Sequence, residues 1–218
     1  MAADEPGSGI DDEQVAGNVL TMLLAGEDTT ANTLAWLIWL LSRHPAALAR
    51  ARAEVDGVLA GAALLDLEQL GRLDFVEACA HETMRLRPVA PINTMQAVHD
   101  TQVGDVAVPA GMIVMAVMRR DAVSERHLRD AAEFDPDRWL ADARQAGAAK
   151  RLSMPFGAGP RICPGRYLAL MEIKLACALL LRHFDIAAVD TPDGQAPRER
   201  LQLAMGPVGL SMRLGLRG

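Results

Sequence analysis

Apolar residues fill most positions from Val15 to Leu41 without strict alternation, and this run predicts one long helix over residues 8–44. Ser8 followed by Asp11 resembles a capping box, and Asp11, Asp12 and Glu13 suit the positive end of a helix dipole. His44-Pro45 ends the run. Such a helix is longer than most globular ones and apolar around most of its circumference, which suits a rod through the centre of a larger body. Further helices are predicted over residues 45–59, 75–86 and 164–182, the last with Pro164 at its first turn. Between Ile92 and Val117 the pattern shifts to near-alternation with β-branched residues and Gly/Pro turns, so short strands are expected. Residues 119–160 read as loop and short helix with a flexible AGAAK tract, and the tail from Arg200 reads as a terminal hairpin.

Composition narrows the class. The chain has 218 residues, half of them hydrophobic, and a net charge of −6. It is large enough for one sizeable core and has no basic tract suited to a nucleic-acid backbone. Three cysteines, Cys79, Cys163 and Cys177, are an odd number without a CxxC pair, which argues against a disulfide framework or a zinc site. The N-terminus lacks the basic and apolar regions of a secretory signal. Glu27 and Asp28 sit mid-way along the apolar run, where two carboxylates oppose membrane insertion, so a soluble, cytoplasmic protein is expected.

The stretch FGAGPRICPG, Phe156 to Gly165, is the most unusual chemically. Cys163 stands where a glycine-rich loop enters a helix. Unpaired backbone N–H groups and the helix dipole there favour a sulfur anion. Gly157, Gly159 and Gly165 permit left-handed turns and close approach of a flat ligand, and Arg161 supplies a fixed cation for a carboxylate. A bare cysteine would more often be inert packing. A nucleophilic role would need a histidine base, which this context does not supply.

Phe156, Gly159, Arg161, Cys163 and Gly165 fit the FxxGxRxCxG signature of cytochromes P450, and the chain resembles that family. The resemblance implies haem b, with Cys163 as the thiolate ligand of iron, Arg161 on a propionate and Phe156 packed near the sulfur. Two other stretches agree with it. AGEDTT, Ala25 to Thr30, matches the (A/G)Gx(D/E)TT motif of the family's central helix. By that match Thr29 and Asp28 supply protons to dioxygen and Ala25 faces the haem. Read alone, the stretch is a weakened helix in which Thr29 can bond the carbonyl of Ala25. Glu82 and Arg85 match ExxR, and Arg138 in FDPDRW stands where the family places a third partner. Alone, Glu82 and Arg85 would be an ordinary helical ion pair. As a buried trio they would lock the loop leading to the cysteine.

The resemblance further implies a mainly α fold with small β-sheets, the 218 residues forming the C-terminal portion of one P450 domain that starts just before the central helix. One face of the first helix would then lack partners. Ala90, Ile92 and Leu203 are candidate pocket residues for a small apolar substrate, with ordinary packing as the plain alternative. Gln96 stands where many P450s carry a basic propionate ligand. Between Lys150 and Arg182, six basic residues (Lys150, Arg151, Arg161, Arg166, Lys174, Arg182) face one acid, Glu172. This suggests a docking side for an acidic electron-transfer partner: ferredoxin, flavodoxin or a flavin reductase. The expected activity is monooxygenation with dioxygen, and the alternative is a truncated remnant with weak or no haem binding. Trp36, Trp39, Cys79 and Cys177 read as core, the five histidines show no ligand spacing, and Glu54 and Asp56 read as a solvated face.

Overall fold

The computed structural model describes residues 11–60, 66–140 and 143–217. Helix α1 (Asp12–Arg43) is a single helix of 32 residues. Its cap is Asp11, whose carboxylate accepts from the Gln14 amide at 2.8 Å while the Gln14 side chain accepts from the Asp11 amide at 3.2 Å. The capping box that the structure describes is Asp11–Gln14; Ser8, the expected partner of Asp11, lies outside the described residues. Burial changes along the rod. Trp36 to Leu41 are buried, but Val19, Leu20, Met22, Leu23 and Leu24 are exposed.

α2 (Pro45–Val58) follows at once, with proline at its first turn. α3 (Leu67–Gly71), with an Asp66–Gln69 capping box, was not predicted; five residues are too few to show a period. α4 (Asp74–Leu86) has no side-chain cap of its own. Glu54 of α2 supplies it, accepting from the amides of Phe75 at 2.7 Å and Val76 at 2.9 Å. Glu54 is thus a long-range cap rather than part of a solvated face. Asp56 is exposed as expected and pairs with Arg217, which holds its carboxyl below the ordinary value.

Strand β1 (Ile92–Gln96) pairs antiparallel with β4 (Ile113–Val117), and β2 (Thr101–Val103) with β3 (Val106–Val108) around Gly104 at φ 61°. α5 (Arg119–Ala122), α6 (Asp137–Leu140) and α7 (Ala143–Ser153) follow. The AGAAK tract lies within α7 and is helical, because alanine and lysine favour a helix more than its one glycine opposes it. α8 (Arg166–His183) is capped by Gly165, so Pro164 precedes the helix instead of forming its first turn. β5 (Phe184–Asp190) pairs with β8 (Ser211–Leu216), and β6 (Arg198–Leu201) with β7 (Met205–Val208). The tail therefore holds one hairpin, and its last strand returns to β5.

Among the described residues the fold is mainly helical, with four two-stranded sheets. Trp36, Leu37 and Leu41 of α1, Val55 of α2, Val76 and Cys79 of α4 and Cys177 and Leu181 of α8 form one core. Trp36 and Trp39 meet edge to face, 5.7 Å between ring centres. Among the described residues no helix is long and apolar enough to cross a membrane.

Candidate functional site

The cysteine loop is held at both ends. The Cys163 amide donates to the Phe156 carbonyl at 2.9 Å and the Gly157 amide to the Met154 carbonyl at 2.8 Å. Gly157 at φ 72° and Gly159 at φ 68° take the left-handed turns that route the chain, through a 3-10 turn at Gly159–Arg161, back to Cys163. A side chain at Gly165 would place its Cβ 3.9 Å from the Cys163 sulfur. Cys163 is half-buried, whereas Cys79 and Cys177 are buried in the core. Burial pushes the Cys177 thiol up to about 12 and raises that of Cys79 as well. Those two are inert packing, as expected, and Cys163 alone of the three cysteines is partly open to solvent. Arg161 is exposed and makes no ion pair among the described residues.

On α1, Ala25 is exposed and its carbonyl accepts from the Thr29 hydroxyl at 2.8 Å. The Asp28 carbonyl accepts from the Asn32 amide and the Thr29 carbonyl from the Thr33 hydroxyl, each at 2.8 Å. The carbonyls of Ala25, Asp28 and Thr29 thus each take a side-chain donor, which loosens their hold on the helix ladder. Asp28 and Asn32 line an open cleft of about 210 Å³ with Arg200, Gln202, Ala204 and Gly206 to Gly209 of the β6–β7 hairpin. A Cβ on Gly206 would fall on the Asn32 side chain, so only glycine lets β7 lie this close to α1.

Glu82, Arg85 and Arg138 do come together. Arg85 grips Glu82 with two bonds of 2.7 and 2.8 Å, both side chains 0 % exposed. Arg138 reaches the same carboxylate at 3.5 Å. Trp139 Nε1 and the Asp135 amide add bonds of 2.8 and 3.0 Å. The guanidinium of Arg85 also donates to the carbonyls of Ala122, Ala131 and Glu133, and that of Arg138 to Arg129 and Asp130. Trp139 was missed from sequence; its signal was adjacency to Arg138.

The remaining candidates are scattered. Ala90 is exposed, Ile92 starts β1 opposite Val117, and Leu203 is 66 % exposed at the hairpin turn. Gln96 donates to the Gly111 carbonyl at 3.0 Å, an internal task unrelated to a propionate. The basic side is thinner than the sequence count suggested. Lys174 is buried against Glu77 at 2.7 Å, Arg182 is engaged, and Arg166 lies over the Tyr167 ring. Lys150, Arg151 and Arg161 remain exposed.

The family model for cytochrome P450 matches residues 1–213. The chain belongs to the cytochrome P450 family. Cytochrome P450 714C3 of Oryza sativa subsp. japonica is 38 % identical over 173 residues, 78 % of this chain and 34 % of that protein. The mitochondrial 1,25-dihydroxyvitamin D(3) 24-hydroxylase of Rattus norvegicus is 34 % identical over 187 residues, 86 % of this chain and 35 % of that protein. The crystal structure of the cytochrome P450DA heme domain superposes with a TM-score of 0.87 at 31 % identity, covering 99 % of this chain and 47 % of that one. The chain thus spans about a third of the length of these curated P450 relatives and just under half of a solved P450 haem domain.

Proposed function

We propose that this P450 chain is the C-terminal portion of a haem-thiolate monooxygenase domain, in which Cys163 holds the iron of haem b. The observation that carries the reading is the cysteine loop: one half-buried thiol behind two left-handed glycines, beside a guanidinium with no ion partner among the described residues. These residues fit a flat dianionic ligand. Gly157, Gly159 and Gly165 leave room for the macrocycle, Arg161 is free to bind a propionate, and Phe156 lies across the loop from the sulfur. When bound, a thiolate-ligated haem supplies cleavage of the O–O bond.

The remaining chemistry falls to the protein's own groups. Insertion of one oxygen atom into a small apolar substrate consumes dioxygen, two electrons and two protons, and releases water. Asp28 faces a polar cleft open to solvent and is suited to take up those protons. Thr29, adjacent on α1, carries a hydroxyl that can pass them on once it releases the Ala25 carbonyl. Glu82, Arg85 and Arg138 act as structure: they hold the 122–139 segment in place through backbone carbonyls and do no chemistry. Ala90, Ile92 and Leu203 bound the substrate space in this reading. Electrons come from a ferredoxin, flavodoxin or flavin reductase that meets the exposed Lys150 and Arg151, with Tyr167 and Leu168 exposed nearby in sequence.

The test is spectroscopic. The haem-supplied protein, reduced and exposed to carbon monoxide, is expected to show the red-shifted Soret band of a thiolate-ligated carbonyl complex, lost in Cys163→Ala. The same band retained in Cys163→Ala overturns the assignment of the ligand. A second reading, a chain that holds haem weakly or not at all by itself, is favoured by the exposed Leu20, Leu23 and Leu24 beside the AGEDTT stretch. Absence of haem uptake by wild type supports it.

A further inference from the structure

Helix α8 opens differently from α1 and α4. Asp11 caps α1, with Asp12 and Glu13 in its first turn, and Glu54 caps α4, with Asp74 and Glu77 in its first turn. The α8 cap, Gly165, has no side chain to offer, the first turn holds no acid, and the first helical residue is Arg166. A cation at that position opposes the helix dipole. Nor does the guanidinium extend into solvent. Its Nη1 donates to the Cys163 carbonyl at 3.3 Å and its Nη2 to the Tyr167 hydroxyl at 3.1 Å, and its Cζ lies 4.2 Å from the centre of the Tyr167 ring. Among the described residues no carboxylate pairs with it. The side chain is thus folded back onto the peptide of the half-buried cysteine, with its charge unanswered.

We propose that Arg166 is a positioning residue for the cysteine ligand: it pins the Cys163 carbonyl and holds a fixed positive charge beside the sulfur, which raises the potential at which bound haem takes up an electron. The inference rests on the haem-thiolate reading. Sulfur and carbonyl belong to one residue, so a guanidinium bonded to the carbonyl lies within about a Debye length of the sulfur and acts on it at physiological salt. One-electron reduction adds a negative charge to the iron–sulfur unit. A cation held beside that unit stabilises the reduced form more than the oxidised one, so the potential rises. Arg161 is the other guanidinium close to the sulfur in sequence, but in this reading a propionate neutralises it, whereas Arg166 keeps its charge. The planar fork of arginine also explains how one side chain reaches the carbonyl and the hydroxyl while lying over a ring. An arginine at the first position of α8 costs that helix some stability. No carboxylate among the described residues offsets the cost, and a thiolate at Cys163 does.

The experiment has two arms. In the haem-loaded protein, the midpoint potential of the iron is measured by spectroelectrochemical titration. Arg166→Gln keeps a donor for the Cys163 carbonyl and loses the charge. It is expected to weaken the one-electron reduction equilibrium about tenfold, which is ~59 mV. Arg166→Ala falls as far, and Arg166→Lys stays close to wild type. A wild-type potential in Arg166→Gln overturns the proposal, since a merely structural role moves haem content and unfolding midpoint and leaves the potential alone. In the haem-free protein, Cys163 is alkylated with neutral iodoacetamide and with anionic iodoacetate, while Cys79 and Cys177 are protected by burial. The ratio of the two rates cancels the thiolate fraction and reads the charge beside the sulfur. The iodoacetate-to-iodoacetamide ratio is expected to fall roughly three- to tenfold in Arg166→Gln at low salt, to hold in Arg166→Lys, and to converge with wild type in about 1 M salt. A ratio indifferent to Arg166 also overturns the proposal. If wild type lacks the thiolate carbonyl band, the haem reading fails by itself, and the alkylation ratio then decides whether Arg166 holds its charge beside the sulfur.

Discussion

The polar groups described in this chain are finished to different degrees. Around Glu82 every strong group is answered: the carboxylate meets two guanidiniums, an indole and a backbone amide, and those guanidiniums in turn take five backbone carbonyls. Around Cys163 and the AGEDTT stretch the groups are presented. Arg161 has no ion partner among the described residues, Asp28 opens on a cleft, and Ala25 is exposed. A buried network left partly satisfied is costly, so a saturated one reads as scaffold. Unanswered polar groups beside left-handed glycines read as a place kept for a ligand. The same chemical types, carboxylate and guanidinium, thus serve opposite ends, and satisfaction rather than identity tells them apart.

The comparison is broken most severely at Glu82. Glu82→Ala strands the Arg85 and Arg138 charges where water cannot reach them, and removal of one partner from such a buried set costs about 3–5 kcal/mol. Denaturant unfolding at neutral pH is expected to show that loss, or no folded baseline at all. A loss below about 1 kcal/mol would mean that the lock is ornamental and that saturation is a poor guide to scaffold.

Next comes the one tight seam on the open side. Gly206→Ala places a methyl group on the Asn32 side chain and is expected to cost about 1–3 kcal/mol, the usual penalty for overpacking. In an Asn32→Ala background the penalty should largely vanish, since the neighbouring groups then have room, and the double-mutant cycle measures that coupling. Additive losses would show that the cost of the methyl group does not arise at the Asn32 side chain, and that this contact does not fix the spacing of β7 from α1.

Both regions were legible in sequence through the resemblance and not through spacing: Glu82, Arg85 and Arg138 by the ExxR pair and its loop partner, Phe156 to Gly165 by the cysteine signature. Spacing alone predicts only an ordinary helical ion pair for Glu82 and Arg85, and their burial shows only in the fold. The long α1 was also legible, from its apolar length; a hairpin was expected from Arg200 onward, and the one observed starts at Arg198 and turns at residues 202–204, without glycine or proline. What escaped notice depends on pairs distant in the chain. Glu54 looks solvated until α4 arrives with two amides to cap, and Lys174 looks like surface charge until Glu77 faces it. Asn32, Arg200 and Gln202 carry no local signal, because the cleft they share exists only once the hairpin lies on α1. Local spacing shows which groups are chemically capable, and tertiary contact decides which of them are already occupied.

Lys174 and Glu77 connect the two regions, since α8 begins just after Cys163 and α4 carries the lock. Lys174 is 7 % exposed and Glu77 38 %. The Glu77 carboxyl is depressed to about 2, first by its bond with His81 and then by Lys174, from an ordinary 4.5. A depressed folded-state value stabilises the fold above the ordinary value and is lost as pH falls from about 4.5 towards 2. Discounted for solvent screening, the contribution is about 1–2 kcal/mol. Lys174→Met should flatten the fall in unfolding midpoint across that acid range relative to wild type. An identical acid profile would mean that His81, stacked on Trp139 at 4.9 Å, holds Glu77 without help and that α8 is tied to the lock by packing alone.

The smallest stability change is expected at the residue that matters most to the proposed chemistry. Cys163→Ala removes a half-buried sulfur whose backbone bond to Phe156 remains, so without haem the unfolding midpoint should move by about 1 kcal/mol or less. In haem-supplied protein the stabilisation conferred by the cofactor should disappear together with the thiolate carbonyl band, because a ligand stabilises only the fold that binds it. If the haem-free variant instead loses as much as Glu82→Ala, the cysteine is itself part of the scaffold, and the contrast between an answered centre and a waiting one does not hold.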